Sequence, residues 1–179
     1  MQWLRERWAA FPSVPYNAVT FTMPNQLWPL FRANPRLAQA LPALAATTIY
    51  AHAHAKDGVR VGVIAIVHTF NPKLEFNSHV HAMVTAGGLS ESSGLWVPLV
   101  DYLHSEIMQC WKGAVIELLR TALQSNQLQS DLPKQSLENL LAQQEKRFWR
   151  VKIQSFSTKE HFLRYAGRYV RRPPIAQKR

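Results

Sequence analysis

His79 and His81 stand two residues apart in the stretch Phe76-Asn-Ser-His-Val-His-Ala-Met-Val-Thr-Ala-Gly-Gly88. Along a strand, residues two apart point the same way and sit about 6–7 Å apart. Val80, Ala82, Val84 and Ala86 take the opposite, apolar face. Paired imidazoles on the polar side of such a strand suit a divalent metal; the plainer reading is a solvated histidine pair. The preceding stretch 61–70 is apolar on both faces until His68, which predicts a central strand covered on both sides. Asn71 and Pro72 end it. If the two strands pair as an antiparallel hairpin, His68 falls opposite His79 on the same face, and three imidazoles converge. His68 is then a ligand, or else a hydrogen-bonded core histidine. Glu75, in the connecting loop, is a weaker candidate for the same role.

A second His-x-His, His52 and His54, lies in an alanine-rich stretch of helical pattern. On a helix, residues two apart face nearly opposite sides, so these two cannot share a metal. They read as surface or interface residues.

Tyr165 and Tyr169 are four apart, which places both on one face of a helix. Lys146, Arg147, Arg150, Lys152, Lys159, Arg164, Arg168, Arg171, Arg172, Lys178 and Arg179 surround them, against the single acid Glu160. Such a region binds phosphates, and cations beside a phenol favour its ionised, nucleophilic form. The alternative is that the tyrosines pack and the basic tail is solvated.

Positioning these residues takes a real core, and 179 residues suffice for one domain. A net charge of +10 points to a polyanion or an acidic membrane surface as partner. No apolar run reaches the ~18 residues of a membrane span, and no signal peptide is visible, so a cytoplasmic location is expected. The lone Cys110 excludes an internal disulfide and a cysteine-rich zinc module. Trp3, Leu4, Trp8 and Phe11 form the stripe of a short N-terminal helix. A strand is expected over 16–24, then a helix capped by Asn25 and a longer one from Pro35 to Asp57-Gly58. After the histidine hairpin come a loop over 87–94, a short edge strand at 95–100 and a helix from Asp101 to about Gln124. A helix over 135–145, a strand over 148–155 and a last helix over 159–171, capped by Ser157, complete the chain. Strands mixed with helices around a hairpin favour an α+β antiparallel sheet.

A strand ending Phe21-Thr22-Met23-Pro24, a His68-Thr69-Phe70 strand end, His79-Val80-His81 before Gly87-Gly88, and Leu163-Arg-Tyr-Ala-Gly-Arg-Tyr-Val-Arg-Arg-Pro-Pro-Ile175 follow in this order. The combination closely resembles the two-tyrosine HUH transposases of rolling-circle insertion sequences. The resemblance implies a ferredoxin-like HUH endonuclease core, an antiparallel sheet flanked by helices, over residues 16–179. Residues 1–15 would be an N-terminal helix and the lead-in to a zinc-binding region that members of the family carry and this sequence lacks, and the family chain would continue past the Pro-Pro-Ile175 motif, so the resemblance implies a copy truncated at both ends. It further implies that His68, His79 and His81 hold magnesium or manganese. Tyr165 or Tyr169 would attack single-stranded DNA at transposon ends and target, leaving a 5′-phosphotyrosine and a free 3′-hydroxyl. Arg150, Lys152, Arg164, Arg168, Arg171 and Arg172 would bind the DNA, and no membrane would be involved. Other readings of the same residues are a DNA-binding remnant without catalysis and an HUH replication initiator or relaxase. A histidine phosphoesterase is disfavoured because no paired His-x-Thr motif is present.

Overall fold

The structure, a computed structural model, describes residues 9, 11–71, 73, 75–98 and 102–170, the last three by their backbone alone. Residues 1–8 and 10 of the N-terminal helix expected over 1–11, and Arg171 and Arg172, lie outside the described residues; Ala9 and Phe11 are described and are not helical.

Strand β1 (Tyr16–Phe21) is followed by a single 3-10 turn (Asn25–Leu27), helix α1 (Trp28–Ala33) and helix α2 (Pro35–Asp57). Asn25 therefore sits inside a 3-10 turn and does not cap an α-helix. Gly58 closes α2 at a positive φ of 61°, and its N–H bonds the His54 carbonyl at 2.9 Å. Only a residue that tolerates the left-handed region ends a helix this way cheaply. Strands β2 (Val59–Phe70) and β3 (Phe76–Ser90) then form the expected hairpin, with His68 paired to His79. Strand β4 (Trp96–Pro98), helix α3 (His104–Gln124), helix α4 (Lys134–Lys146), strand β5 (Val151–Phe156) and helix α5 (Lys159–Val170) follow.

The fold is α+β, a five-stranded antiparallel sheet of order β2-β3-β1-β5 with β4 added to the far part of β3, consistent with a ferredoxin-like HUH core. Residues of β1, β3 and β5 alternate between two apolar clusters. Val19, Phe21, Val80, Ala82, Val84 and Val151 join the main core with α1 to α4, whereas Tyr16 and Met83 join a smaller one with α5. Period-two alternation thus sorts the sheet into a thick helical face and a second, more open face that carries α5. Trp111 ties α3 to the sheet through an indole N–H donated to the Thr22 carbonyl at 2.8 Å.

Several expectations from the sequence need correction. β2 is an edge strand: Val59 and Val61 are buried in the main core, but its apolar side chains from Val63 onward are only partly covered and Ile64 is 43% exposed. The interior position goes to β3, which pairs on both sides. The loop expected at 87–94 is strand through Ser90. Gly87 and Gly88 are required by close approach, because a Cβ there would lie 2.4 Å from the Val97 and Arg60 carbonyl oxygens respectively. His52 is buried between α2 and α3, its Nδ1 3.4 Å from Glu106, rather than on the surface. Thr158, not Ser157, caps α5, accepting at Oγ1 the His161 N–H. Helix α3 begins at His104, and β5 begins at Val151 where the sequence suggested 148.

Candidate metal centre and tyrosine helix

Cross-strand pairing builds the histidine site. His68 on β2 faces His79 on β3, and His81 lies two residues further along β3, between Ile66 and Thr20 of its neighbours. Directly opposed residues share a face, so all three rings occupy the open side of the sheet. Ring centroids are 5.4 Å apart for His68–His79 and 4.9 Å for each other pair. One nitrogen from each ring lies within 4.8 Å of the others. Two metal–nitrogen bonds of about 2.1 Å span at most ~4.2 Å, a gap that small ring rotations close.

The rings are oriented from behind. His79 Nδ1 lies 2.7 Å from the Asn77 carbonyl oxygen, which can only accept, so Nδ1 carries the proton and Nε2 the lone pair. His81 Nδ1 lies 3.2 Å from Thr20 Oγ1. Burial lowers the pKa of both histidines. That of His81 falls to about 3, chiefly through burial and in smaller part through the neighbouring His79 and His68 imidazoles. For His79 the Asn77 carbonyl opposes the burial effect and His68 adds to it. Neutral imidazoles are the form a metal needs, so protonation does not compete near pH 7.

Glu75 does not join this group; it accepts a hydrogen bond from the Asn71 side chain at 2.7 Å in the loop. His54 pairs with Glu91 at 3.2 Å, at the opposite end of β2 from His68. The sequence reading missed Thr20 and the Asn77 carbonyl. Thr20 was visible as a strand residue, but its pairing with His81 links positions 61 apart, and no local pattern encodes that.

Helix α5 crosses the same open face. Phe162, Leu163 and Ala166 are fully buried against Tyr16 and Met83, with Ile66 and Phe156 at the margin. Phe162 stacks on Tyr16 at 4.1 Å and 8° between planes. The segment before β1 straps the helix down: Tyr16 donates to the Pro12 carbonyl at 2.6 Å, and the Lys159 ammonium donates to the Phe11 carbonyl at 2.6 Å. Burial pushes the Tyr16 phenol up to about 12. Tyr165 is half-buried, its ring 5.0 Å from Phe156. Tyr169 lies one turn further along α5, about 6 Å by helical rise. The side chains of Arg168 and Tyr169 lie outside the described residues.

Of the cations, Arg164 is exposed and bonds Glu160 one turn earlier on α5. Arg150 and Lys152 are exposed, and Lys152 pairs with Thr20, the partner of His81. Among the described residues, no helix is long and apolar enough to cross a membrane.

The family model described as "Putative transposase" matches residues 62–179, which contain the histidine hairpin and α5. The transposase for insertion sequence element IS801 of Pseudomonas savastanoi pv. phaseolicola is 32% identical over 189 residues, covering 99% of this chain and 44% of that protein. "Putative transposase y4qJ" of Sinorhizobium fredii (strain NBRC 101917 / NGR234) is 28% identical over 192 residues, covering 99% and 48% respectively. The chain therefore spans less than half the length of these relatives. No solved structure matches it. With the family model covering the chain from β2 through α5 and beyond, the protein belongs to this transposase family.

Proposed function

We propose that this chain is the nuclease core of a transposase that cuts and rejoins single-stranded DNA through a phosphotyrosine. The observation that carries the reading is the convergence of His68, His79 and His81 on the sheet face where α5 docks. The three histidines would hold a divalent ion, and an all-imidazole donor set favours manganese over the oxygen-seeking magnesium. When bound, that ion supplies Lewis-acid charge stabilisation at a phosphate oxygen.

The remaining chemistry belongs to side chains. The phenolic oxygen of Tyr165 or Tyr169 attacks phosphorus in line, forming an O–P bond and losing its proton. The bond from phosphorus to the 3′ oxygen breaks, and that oxygen leaves as a hydroxyl after gaining a proton. The 5′-phosphotyrosine keeps a diester, so a new 3′-hydroxyl reverses the step and joins another end without a nucleotide cofactor. Two tyrosines one turn apart allow two such exchanges. Cations along β5 and α5 hold the phosphates and lower the cost of ionising a phenol. The names of the two relatives, both transposases, support the same reading.

The test is manganese-dependent nicking of labelled single-stranded oligonucleotides by the wild type and by the His79→Ala/His81→Ala variant. Loss of nicking in the variant, with most DNA binding retained, is the expected result, because phosphate contacts carry affinity. Metal-dependent nicking that survives the double substitution overturns the assignment.

A further inference from the structure

Phe148 is 81% exposed, the most exposed of the large hydrophobic side chains described. It sits in Lys146-Arg-Phe-Trp-Arg-Val-Lys152, where burial alternates: Trp149 is 1% and Val151 7% exposed, and both belong to the main core. Phe148, Arg150 and Lys152 are the intervening positions, and all three are exposed. The pairing of β1 with β5 continues past Val151, since Thr22 donates both its backbone N–H, at 3.2 Å, and its hydroxyl, at 2.7 Å, to the Arg150 carbonyl. Arg150 and Lys152 therefore face the open side of the sheet edge about 6–7 Å apart, and Phe148 lies two residues earlier, in the segment that leads into β5. This run ends beside the histidines, because Lys152 pairs with Thr20 and Thr20 with His81.

We infer that this run is a single-stranded nucleic-acid track, in which one base stacks on Phe148 and the backbone phosphates lie on Arg150 and Lys152. The inference rests on the function proposed above and names the residues that deliver the strand to that site. The exposed Phe148 ring contributes little burial to the fold, and Arg147, Arg150 and Lys152 beside it repel other cationic surfaces while attracting a polyanion. An aromatic face between cations is the combination that grips unpaired nucleotides. The ring stacks on any base and the cations neutralise phosphates, whereas a duplex hides its base faces from such a ring. The competing occupant is another protein surface, since the chain spans under half of its relatives' length.

The experiment is fluorescence anisotropy with a mixed-sequence single strand and its duplex, in EDTA so that nothing is cut, across a salt series. Phe148→Ala weakens single-strand binding roughly 5- to 150-fold, the equivalent of about 1–3 kcal/mol of stacking. It leaves duplex binding and the salt slope unchanged, and Phe148→Trp restores affinity. Arg150→Gln with Lys152→Gln instead lowers the single-strand salt slope by about 1.4, roughly 0.7 per neutralised cation. A Phe148→Ala protein that binds the single strand within twofold of wild type overturns the track and points to a protein partner for that side chain. Failure of the wild type to bind single strands at all overturns both the track and the proposed function. Binding lost through Phe148→Ala with no nicking by the wild type sinks only the chemistry.

Discussion

Thr20 and the Asn77 carbonyl decide which nitrogen of each neighbouring imidazole turns toward the other rings. The carbonyl fixes His79 as the Nδ1–H tautomer. The Thr20 hydroxyl can accept from His81 Nδ1–H or donate to a bare Nδ1, and only the first arrangement leaves a lone pair on Nε2 for a metal. Thr20→Val keeps the strand and removes this control. Manganese affinity measured by calorimetry should fall about 10- to 100-fold, the usual range for outer-shell partners, and Thr20→Ser should recover most of it. Affinity unchanged in Thr20→Val would mean that the hydroxyl plays no part in orienting the ring. At this scale the histidines were legible from sequence, because period two along a strand and opposition across a hairpin are local rules. Thr20 was not, since its partner is fixed by a pairing of strands distant in sequence. His52 misled for a related reason: a helical pattern shows which residues share a face, but α3 had to be in place before that face could be known as buried.

Helix α5 matters because it carries the tyrosines, and it is held by a small cluster separate from the main core. Its anchors are Phe162 on Tyr16 and the strap of residues 11–16, fastened through Lys159 and the Tyr16 hydroxyl. Phe162→Ala removes a fully buried ring, a loss of about 3–5 kcal/mol in a typical core. Because that ring serves only the smaller cluster, the loss should concentrate in α5. Amide hydrogen exchange over 159–170 should accelerate while β3 keeps its protection and the histidines keep their manganese affinity. Uniform loss of protection across the sheet would show that α5 and the main core unfold as one unit. The sequence predicted this helix from its observed first residue, Lys159, because its tyrosine spacing and its basic face are local. The face of the sheet it packs on is not encoded by any of these local patterns. β2 is the opposite case: a continuous apolar run looks the same in a buried central strand and in an edge strand half-covered by neighbours, so composition misplaced it.

At the level of the whole molecule, charge and burial set the response to solution conditions. Burial lowers the pKa of His52, His79 and His81 below the ordinary value of 6.5. Below that value the unfolded chain takes up protons that the folded chain refuses, so stability falls as pH drops from about 7 toward 5. At the alkaline end the sign reverses. Burial raises Tyr16 to about 12 and also raises Tyr102, so the unfolded phenols ionise first and stability falls above pH 10. Thermal melts in EDTA should therefore peak near neutral pH and fall on both sides; a melting temperature flat from pH 7 to 5 would contradict the buried, neutral histidines. The net charge of +10 gives DNA binding a steep salt dependence. Replacing Arg168, Arg171 and Arg172 with glutamine should flatten the single-strand slope by about 2, and an unchanged slope would move the DNA path away from the end of α5.

Phosphotyrosine chemistry is tested by a denaturing gel of the protein incubated with 5′-unlabelled, 3′-labelled single-stranded DNA and manganese, beside Tyr165→Phe, Tyr169→Phe and the double variant. Label should migrate with the wild-type protein and survive denaturation, persist in at least one single variant, and vanish in the double variant. A covalent adduct that survives loss of both tyrosines, or nicking with no adduct at any stage, would contradict phosphotyrosine chemistry.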